Sequence, residues 1–86
     1  MFVMYSIILT ELGIAVFDNQ KYVKSFSFEN PAEEYILVKK GQAKLAGLGK
    51  FLTNNDVVIV NDHGLLNILE KKSIDVQLMS NQETEI

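Results

Sequence analysis

The sequence predicts a single small α/β domain with a mixed β-sheet. Three observations support this: a first third rich in β-branched and aromatic residues, a later apolar run flanked by helix-forming segments, and a short alternating segment near the end. The chain has 86 residues, of which 48% are hydrophobic and 22% charged, with one proline and five glycines. This composition is typical of a folded globular protein, and the length suits one domain.

The first three predicted strands cover 3–10, 12–17 and 22–28, where β-branched and aromatic side chains are frequent. The polar segment 18–21 is short enough to make the second and third strands an antiparallel hairpin. Glu11 marks a turn or bulge before the second strand. In the first strand both alternating sets of side chains are mostly apolar, so we expect cover on both of its faces.

Asn30, Pro31 and Glu33 predict the start of a helix that runs to about residue 40. Asparagine caps helix N-termini, proline suits the first helical position, and the glutamate can reach back to the amide of the capping residue. Gly41 suits a left-handed helix stop. Leucines that recur at three- and four-residue spacing over 45–52 predict a second helical segment.

The continuous apolar run 57–60 predicts a strand that is buried on both faces inside the sheet. Asn61 or Asp62 can cap the helix that follows, whose apolar stripe ends in a cationic segment. The alternating segment 74–79 then predicts an edge strand. Strand, helix and strand over 57–79 predict a right-handed parallel crossover.

The predicted order is a three-strand meander followed by helix, strand, helix and strand, which is a ribonuclease-H-like order. We assign residues 1–79 to one protein-interaction domain. Residues 80–86 are a polar tail or the start of a truncated helix, because Ser80 and Glu83 have capping-box spacing.

Composition excludes several classes of function. With no cysteine and one histidine, the chain lacks the ligands of a structural zinc site. The net charge is −3, and the basic residues are spread from Lys21 to Lys72, so we expect no direct binding of nucleic acid. The apolar start 1–9 is too short to span a bilayer and lacks the features of a signal peptide. We therefore expect a cytoplasmic protein that does not bind membranes.

Two carboxylates raise an enzymatic alternative. Nucleases with the ribonuclease-H-like order hold metal ions between carboxylates at strand ends, and Glu11 and Asp62 each follow a predicted strand. Such a centre needs several clustered oxygen ligands, so we favour a turn residue at Glu11 and a helix cap at Asp62. His63 lacks the context of a triad, and the glycines form no phosphate loop. We predict no catalytic, metal or cofactor site, and no enzyme.

The aromatic residues are more informative. Five of them crowd the hairpin and the first helix: Phe17, Tyr22, Phe26, Phe28 and Tyr35. Each belongs either to the core or to a patch that faces a partner. Tyr22 lies nearest the hairpin turn and is the best candidate for exposure.

Residues 4–18 have the sequence Met-Tyr-Ser-Ile-Ile-Leu-Thr-Glu-Leu-Gly-Ile-Ala-Val-Phe-Asp, an opening strand followed by a glycine, small and apolar residues and an aromatic-Asp turn. This segment resembles the amino-terminal domain of the archaeal Nop-family scaffold protein of box C/D ribonucleoproteins. The similarity continues in order through Lys40-Gly41, the leucines of 45–52, the strand 57–60, the next helix and the last strand.

The resemblance implies an adaptor that binds fibrillarin, the methyltransferase that methylates ribose 2′-hydroxyls selected by a guide RNA. S-adenosylmethionine would belong to that partner, and this domain itself would need no cofactor. The family's coiled-coil and RNA-binding domains are absent from these 86 residues, so RNA binding is not carried over, and we expect a fragment or a stand-alone relative.

For the partner interface we choose residues that strand alternation and turn position would expose: Phe17, Asp18, Tyr22, Phe26 and Tyr35. No family motif assigns these roles. A further alternative is a self-associating protein, in which a second copy pairs with an edge strand or an open sheet face.

Overall fold

The computed structural model describes residues 4–79. The elements in this part of the chain are β1 (Met4–Thr10), β2 (Gly13–Asp18), β3 (Lys21–Ser27), α1 (Pro31–Lys39), α2 (Ala46–Phe51), β4 (Val57–Val60), α3 (His63–Lys71) and β5 (Asp75–Leu78). The predicted single α/β domain and its order of elements are confirmed. The predicted helix start at Ser80 and Glu83 lies outside the described residues, as does residue 3 of the first predicted strand.

The five strands form one mixed sheet in the order β3-β2-β1-β4-β5. β2 pairs antiparallel with both β1 and β3, while β4 runs parallel to β1 and to β5. β4 is therefore an interior strand and β5 an edge strand, as predicted. Asn61 extends the β1–β4 pairing, because its amide oxygen accepts from the Leu9 N–H at 2.8 Å and its amide nitrogen donates to the Leu9 carbonyl.

The β2–β3 hairpin turns through Asn19 and Gln20, whose φ angles are 53° and 74°. Two consecutive positive φ angles are the geometry of a type I′ turn, which matches the twist of the flanking strands. The pairing register between β2 and β3 shifts just after the turn. Tyr22 pairs with Phe17, whereas Lys24 pairs with Val16. The residue between them, Val23, forms a β-bulge.

All three helices cover the same face of the sheet. The buried core joins one alternating set of strand residues to residues of every helix: Ile7, Leu9, Ile14, Val16, Val58 and Val60 from the strands, and Val38, Leu48, Leu65, Ile68 and Leu69 from the helices. The domain therefore has two layers. Among residues 4–79, every helix falls short of the length and apolar character that crossing a bilayer requires.

The start of α1 requires two corrections to the predicted chemistry, while its end follows it. Asn30 lies at the N-cap position, but its side chain makes no capping hydrogen bond to the helix backbone. At the start, Glu34 rather than Glu33 accepts from the backbone N–H of Asn30, at 2.7 Å, while Glu33 accepts from the Asn30 side chain. At the end, Gly41 has a φ of 74°, as predicted. The N–H groups of Gly41 and Gln42 donate to carbonyls of the last turn, which forms a Schellman motif.

The C-terminus of α1 meets the N-terminus of α3 in close backbone contact. Gly64 is buried there, and a methyl group at its Cα would overlap the carbonyl oxygens of Val38 and Lys39. The negative end of one helix thus lies against the positive end of the other, which is the favourable arrangement of their dipoles. The contact fixes the two helices on the sheet.

Candidate protein-interaction surface

The other face of the sheet is not covered by any element within residues 4–79. We call it the open sheet face. Pairing register and alternation place the following side chains on it: Met4, Ser6, Ile8, Thr10, Ala15, Phe17, Tyr22, Ser25, Ser27, Val57, Ile59, Asp75 and Gln77. No member belongs to the core or to the side chains packed against it. Met4 is 53% exposed and Tyr22 is 58% exposed.

The composition of the open sheet face is unusual for a surface in water. Its middle is formed by partly exposed apolar side chains from three adjacent strands: Ile8 on β1, Ala15 and Phe17 on β2, and Val57 and Ile59 on β4. Sheets that face solvent on one side normally carry polar residues there. Large contiguous apolar patches are rare on monomeric proteins and mark interaction sites.

This arrangement corrects two expectations about burial. β1 was predicted to be covered on both faces, and β4 to be buried on both, because both of their alternating sets are apolar. In the structure Ile8 and Ile59 remain partly exposed, since both helical crossovers place their helices on the same side of the sheet. The second apolar set therefore points to a surface rather than to a second core.

Phe17 and Tyr22 are the two predicted interface residues that the structure brings together. They form a cross-strand pair on the open sheet face, with ring centroids 6.0 Å apart and an interplanar angle of 73°. The Tyr22 hydroxyl donates to Ser25 Oγ at 2.9 Å, which holds the ring over the sheet. Asp18 is exposed at the hairpin turn, but its register opposite Tyr5 places it in the set of strand residues that faces the helices.

Phe26 and Tyr35 lie on the opposite, helical side of the sheet. Phe26 packs edge-on against Phe51 at 6.1 Å between ring centroids. It also lines a cleft of about 680 Å³ between β3, α1 and the segment 42–48. Tyr35 on α1 packs against the core, with Lys39 Nζ 5.6 Å from its ring centroid. The five predicted residues therefore do not form one patch.

The bulge at Val23 explains the separation. Regular alternation would put Tyr22, Lys24 and Phe26 on one face of β3. Because the bulge adds a residue, Tyr22 turns to the open sheet face while Lys24 and Phe26 remain on the helical side. A register shift of this kind leaves no clear mark in the local sequence.

The open sheet face also contains apolar residues that the predicted interface omitted: Met4, Ile8, Val57 and Ile59. Their signal was present in the sequence, because the first strand is mostly apolar on both faces and the run 57–60 is entirely apolar. The predicted interface consists of four aromatic residues and Asp18, and it therefore lacks the aliphatic middle of the face.

The two carboxylates of the nuclease alternative have other roles. Asp62 is the N-cap of α3, as predicted, and its Oδ2 accepts from the N–H groups of Gly64 and Leu65. Its Oδ1 accepts from Lys39 Nζ at 2.9 Å. Glu11 is exposed in the β1–β2 turn. No three acidic or histidine side chains in the described part of the chain cluster as metal ligands would.

The Lys39–Asp62 pair gives a pH-dependent prediction. The hydrogen bond from Lys39 and the charge of the carboxylate raise the pKa of Lys39 above its ordinary 10.5. A raised pKa in the folded state stabilises the fold below pH 10.5, and this contribution is lost as the pH rises through the folded-state pKa. Asp62→Asn keeps a capping acceptor but removes the charge.

We expect Asp62→Asn to be slightly less stable than the parent protein at about pH 8, and the difference in stability to become smaller above the folded-state pKa of Lys39. Urea unfolding at both pH values measures the difference. A stability difference that stays constant between the two would contradict the role of the ion pair.

A scan against protein-family models finds no match for this chain, and searches of curated proteins and of solved structures find no significant match either.

Proposed function

We propose that this chain is a non-catalytic adaptor domain that binds a fibrillarin-like methyltransferase through the open sheet face. In this role it tethers the enzyme to a box C/D guide ribonucleoprotein for RNA 2′-O-ribose methylation, as part of rRNA processing. The observation that carries the proposal is the apolar middle of the open sheet face. The identity of the partner rests on the resemblance of residues 4–18 to the Nop-family domain.

The chemistry of the open sheet face supports a protein partner. Asp75, at the β5 edge, is the one charged side chain on this face within residues 4–79. Desolvating the apolar middle of the face therefore requires no charge to be buried, while burying its aliphatic and aromatic groups is favourable by about 25 cal/mol per Å². Aromatic residues are also enriched in the cores of protein interfaces, and tyrosine is frequent among interface hot spots.

We propose that the adaptor acts by positioning the methyltransferase. Binding to the adaptor confines the methyltransferase near the guided nucleotide, which raises its effective concentration there without adding a chemical group. S-adenosylmethionine and the reacting atoms stay with the partner enzyme. The net charge of −3 agrees with contact to protein rather than to RNA phosphates.

The test is a calorimetric titration of this protein with an archaeal fibrillarin, with the mass of both species measured by light scattering. We expect one-to-one binding at micromolar affinity or tighter. Absence of binding by a folded monomer would overturn the proposal. Formation of a homodimer that excludes fibrillarin would instead assign the open sheet face to a second copy of the chain.

Tyr22→Ala is expected to weaken fibrillarin binding by about 1 kcal/mol or more, which is about fivefold, because the ring is exposed and rigidly paired with Phe17. Titration calorimetry measures the change. Leu12→Ala is the control, since Leu12 is 71% exposed in the β1–β2 turn, outside the open sheet face. Equal affinities for both variants would remove Tyr22 from the interface.

A further inference from the structure

A second concave surface lies in the helical layer, on the opposite side of the sheet from the open sheet face. It runs between the end of α1, the start of α2 and the end of α3, and has a volume of about 620 Å³. Its lining residues are Gly41, Gln42, Ala43, Lys44, Ala46, Ile68, Lys71 and Lys72. We call it the lysine groove.

Positive charge converges on the lysine groove from two separate segments. Lys71 and Lys72 come from the end of α3, while Lys44 comes from the segment that joins α1 to α2. A lysine at a helix C-terminus compensates the helix dipole, which accounts for Lys71 in the last turn of α3 and for Lys72 at its C-cap. Lys44 has no such role, and its position opposite α3 makes the groove basic on two sides.

Among residues 4–79, the lining of the groove supplies no acidic side chain to compensate this charge. The lining contains no aspartate or glutamate, and the one ion pair within residues 4–79 joins Lys39 to Asp62, outside the groove. The chain as a whole has a net charge of −3, so the lysine groove has the opposite sign to the rest of the molecule. A ligand with negative charge is therefore attracted to the groove.

The floor between the lysines is small and apolar. Ala43 and Ala46 leave room for a peptide backbone to approach, and Ile68 lies beneath them with 4% of its surface exposed. A methyl group at Gly49 would lie 3.4 Å from Lys72 Cδ, so the Lys72 stem rests against α2. One wall of the groove is thus held in place by packing.

These features favour carboxylates over nucleic acid phosphates. The lining contains no aromatic ring on which a base could stack. A phosphate backbone also has no apolar side chain that could pack against the floor of the groove.

We propose that the lysine groove binds an acidic peptide segment of another protein, one that carries at least two carboxylates and one small apolar side chain. The carboxylates pair with Lys44, Lys71 and Lys72, and the apolar side chain rests on the alanine floor. This site goes beyond the proposed methyltransferase contact and does not depend on it.

The test titrates the protein with the capped peptide Glu-Glu-Val-Glu-Glu. The titration is repeated with two double variants, each of which loses two positive charges. Amide NMR spectra of the protein during the titration locate the site and give the affinity. We expect saturable shifts at Gln42, Ala43 and Lys44, and an affinity that falls as salt is added. Lys71→Gln with Lys72→Gln should weaken binding about fivefold or more. The control, Lys21→Gln with Lys24→Gln on β3, should change it less than twofold.

Two further probes test whether binding requires negative charge and whether the groove prefers carboxylates to phosphates. The peptide Gln-Gln-Val-Gln-Gln should produce no saturable shifts, and a five-residue oligothymidylate with the same charge as the acidic peptide should bind more weakly. Equal weakening by both double variants, or no shift in the groove, would overturn the proposal. Tighter binding of the oligothymidylate would overturn the choice of a peptide. Circular dichroism of both double variants verifies the fold.

Discussion

Gly64→Ala is expected to lower the free energy of unfolding by about 3 kcal/mol, at the upper end of the usual cost of overpacking. A Cβ at this position overlaps the carbonyl oxygens of Val38 and Lys39. These are backbone atoms in the last turn of α1 and cannot rotate away as a side chain can. Relief requires α1 and α3 to separate, which opens the helical layer over the core. For a domain of this size, such a loss is a large part of the total stability.

Gly49→Ala is the matched control. It is the same substitution in a helix, but the added methyl group would meet the flexible side chain of Lys72 at 3.4 Å, an ordinary contact distance. Because alanine is the better helix former, we expect a gain of about 0.5–1 kcal/mol. Urea unfolding followed by circular dichroism measures both variants. Similar stabilities for the two would show that the α1–α3 contact is not as close as described.

Ile8→Lys is expected to weaken fibrillarin binding more than about 100-fold while the domain stays folded. Ile8 lies in the middle of the open sheet face and is partly exposed. In the unbound domain the lysine can extend its ammonium group into water. In a complex the same group is buried without a partner, which costs several kcal/mol.

The control for this variant is Ile36→Lys. Ile36 is 52% exposed on α1, in the helical layer, so the same substitution adds the same charge on the other side of the sheet. We expect it to leave the affinity within about twofold. Titration calorimetry of the two variants gives the comparison. If Ile36→Lys abolished binding and Ile8→Lys did not, the partner would dock on the helical layer.

Much of the fold follows from short-range patterns. The run 57–60 has the same bounds as β4, and Asn30 and Asp62 occupy the N-cap positions of α1 and α3, although only Asp62 caps with its side chain. These signals are local, because a strand or a helix cap depends on residues a few positions apart. Gly41 ends α1 for the same reason, since the stop requires a positive φ at one position.

The surface was harder to predict because it depends on contacts between distant segments. The apolar character of β1 on both faces is visible in the sequence, but which face the helices cover is decided by the paths of both crossovers. The bulge at Val23 then decides that Tyr22, and not Phe26, joins Phe17. The overlap that excludes a side chain at Gly64 likewise arises from two helices that are separate in sequence.

The central claim is that the open sheet face binds the methyltransferase, and isoleucine methyl NMR tests it most directly. Ile8 and Ile59 report on the open sheet face, and Ile36 reports on the helical layer. On addition of an archaeal fibrillarin, we expect the δ1-methyl signals of Ile8 and Ile59 to shift or broaden while that of Ile36 stays unchanged. A change at Ile36 alone, or no change in any methyl signal at saturating fibrillarin, would contradict the claim.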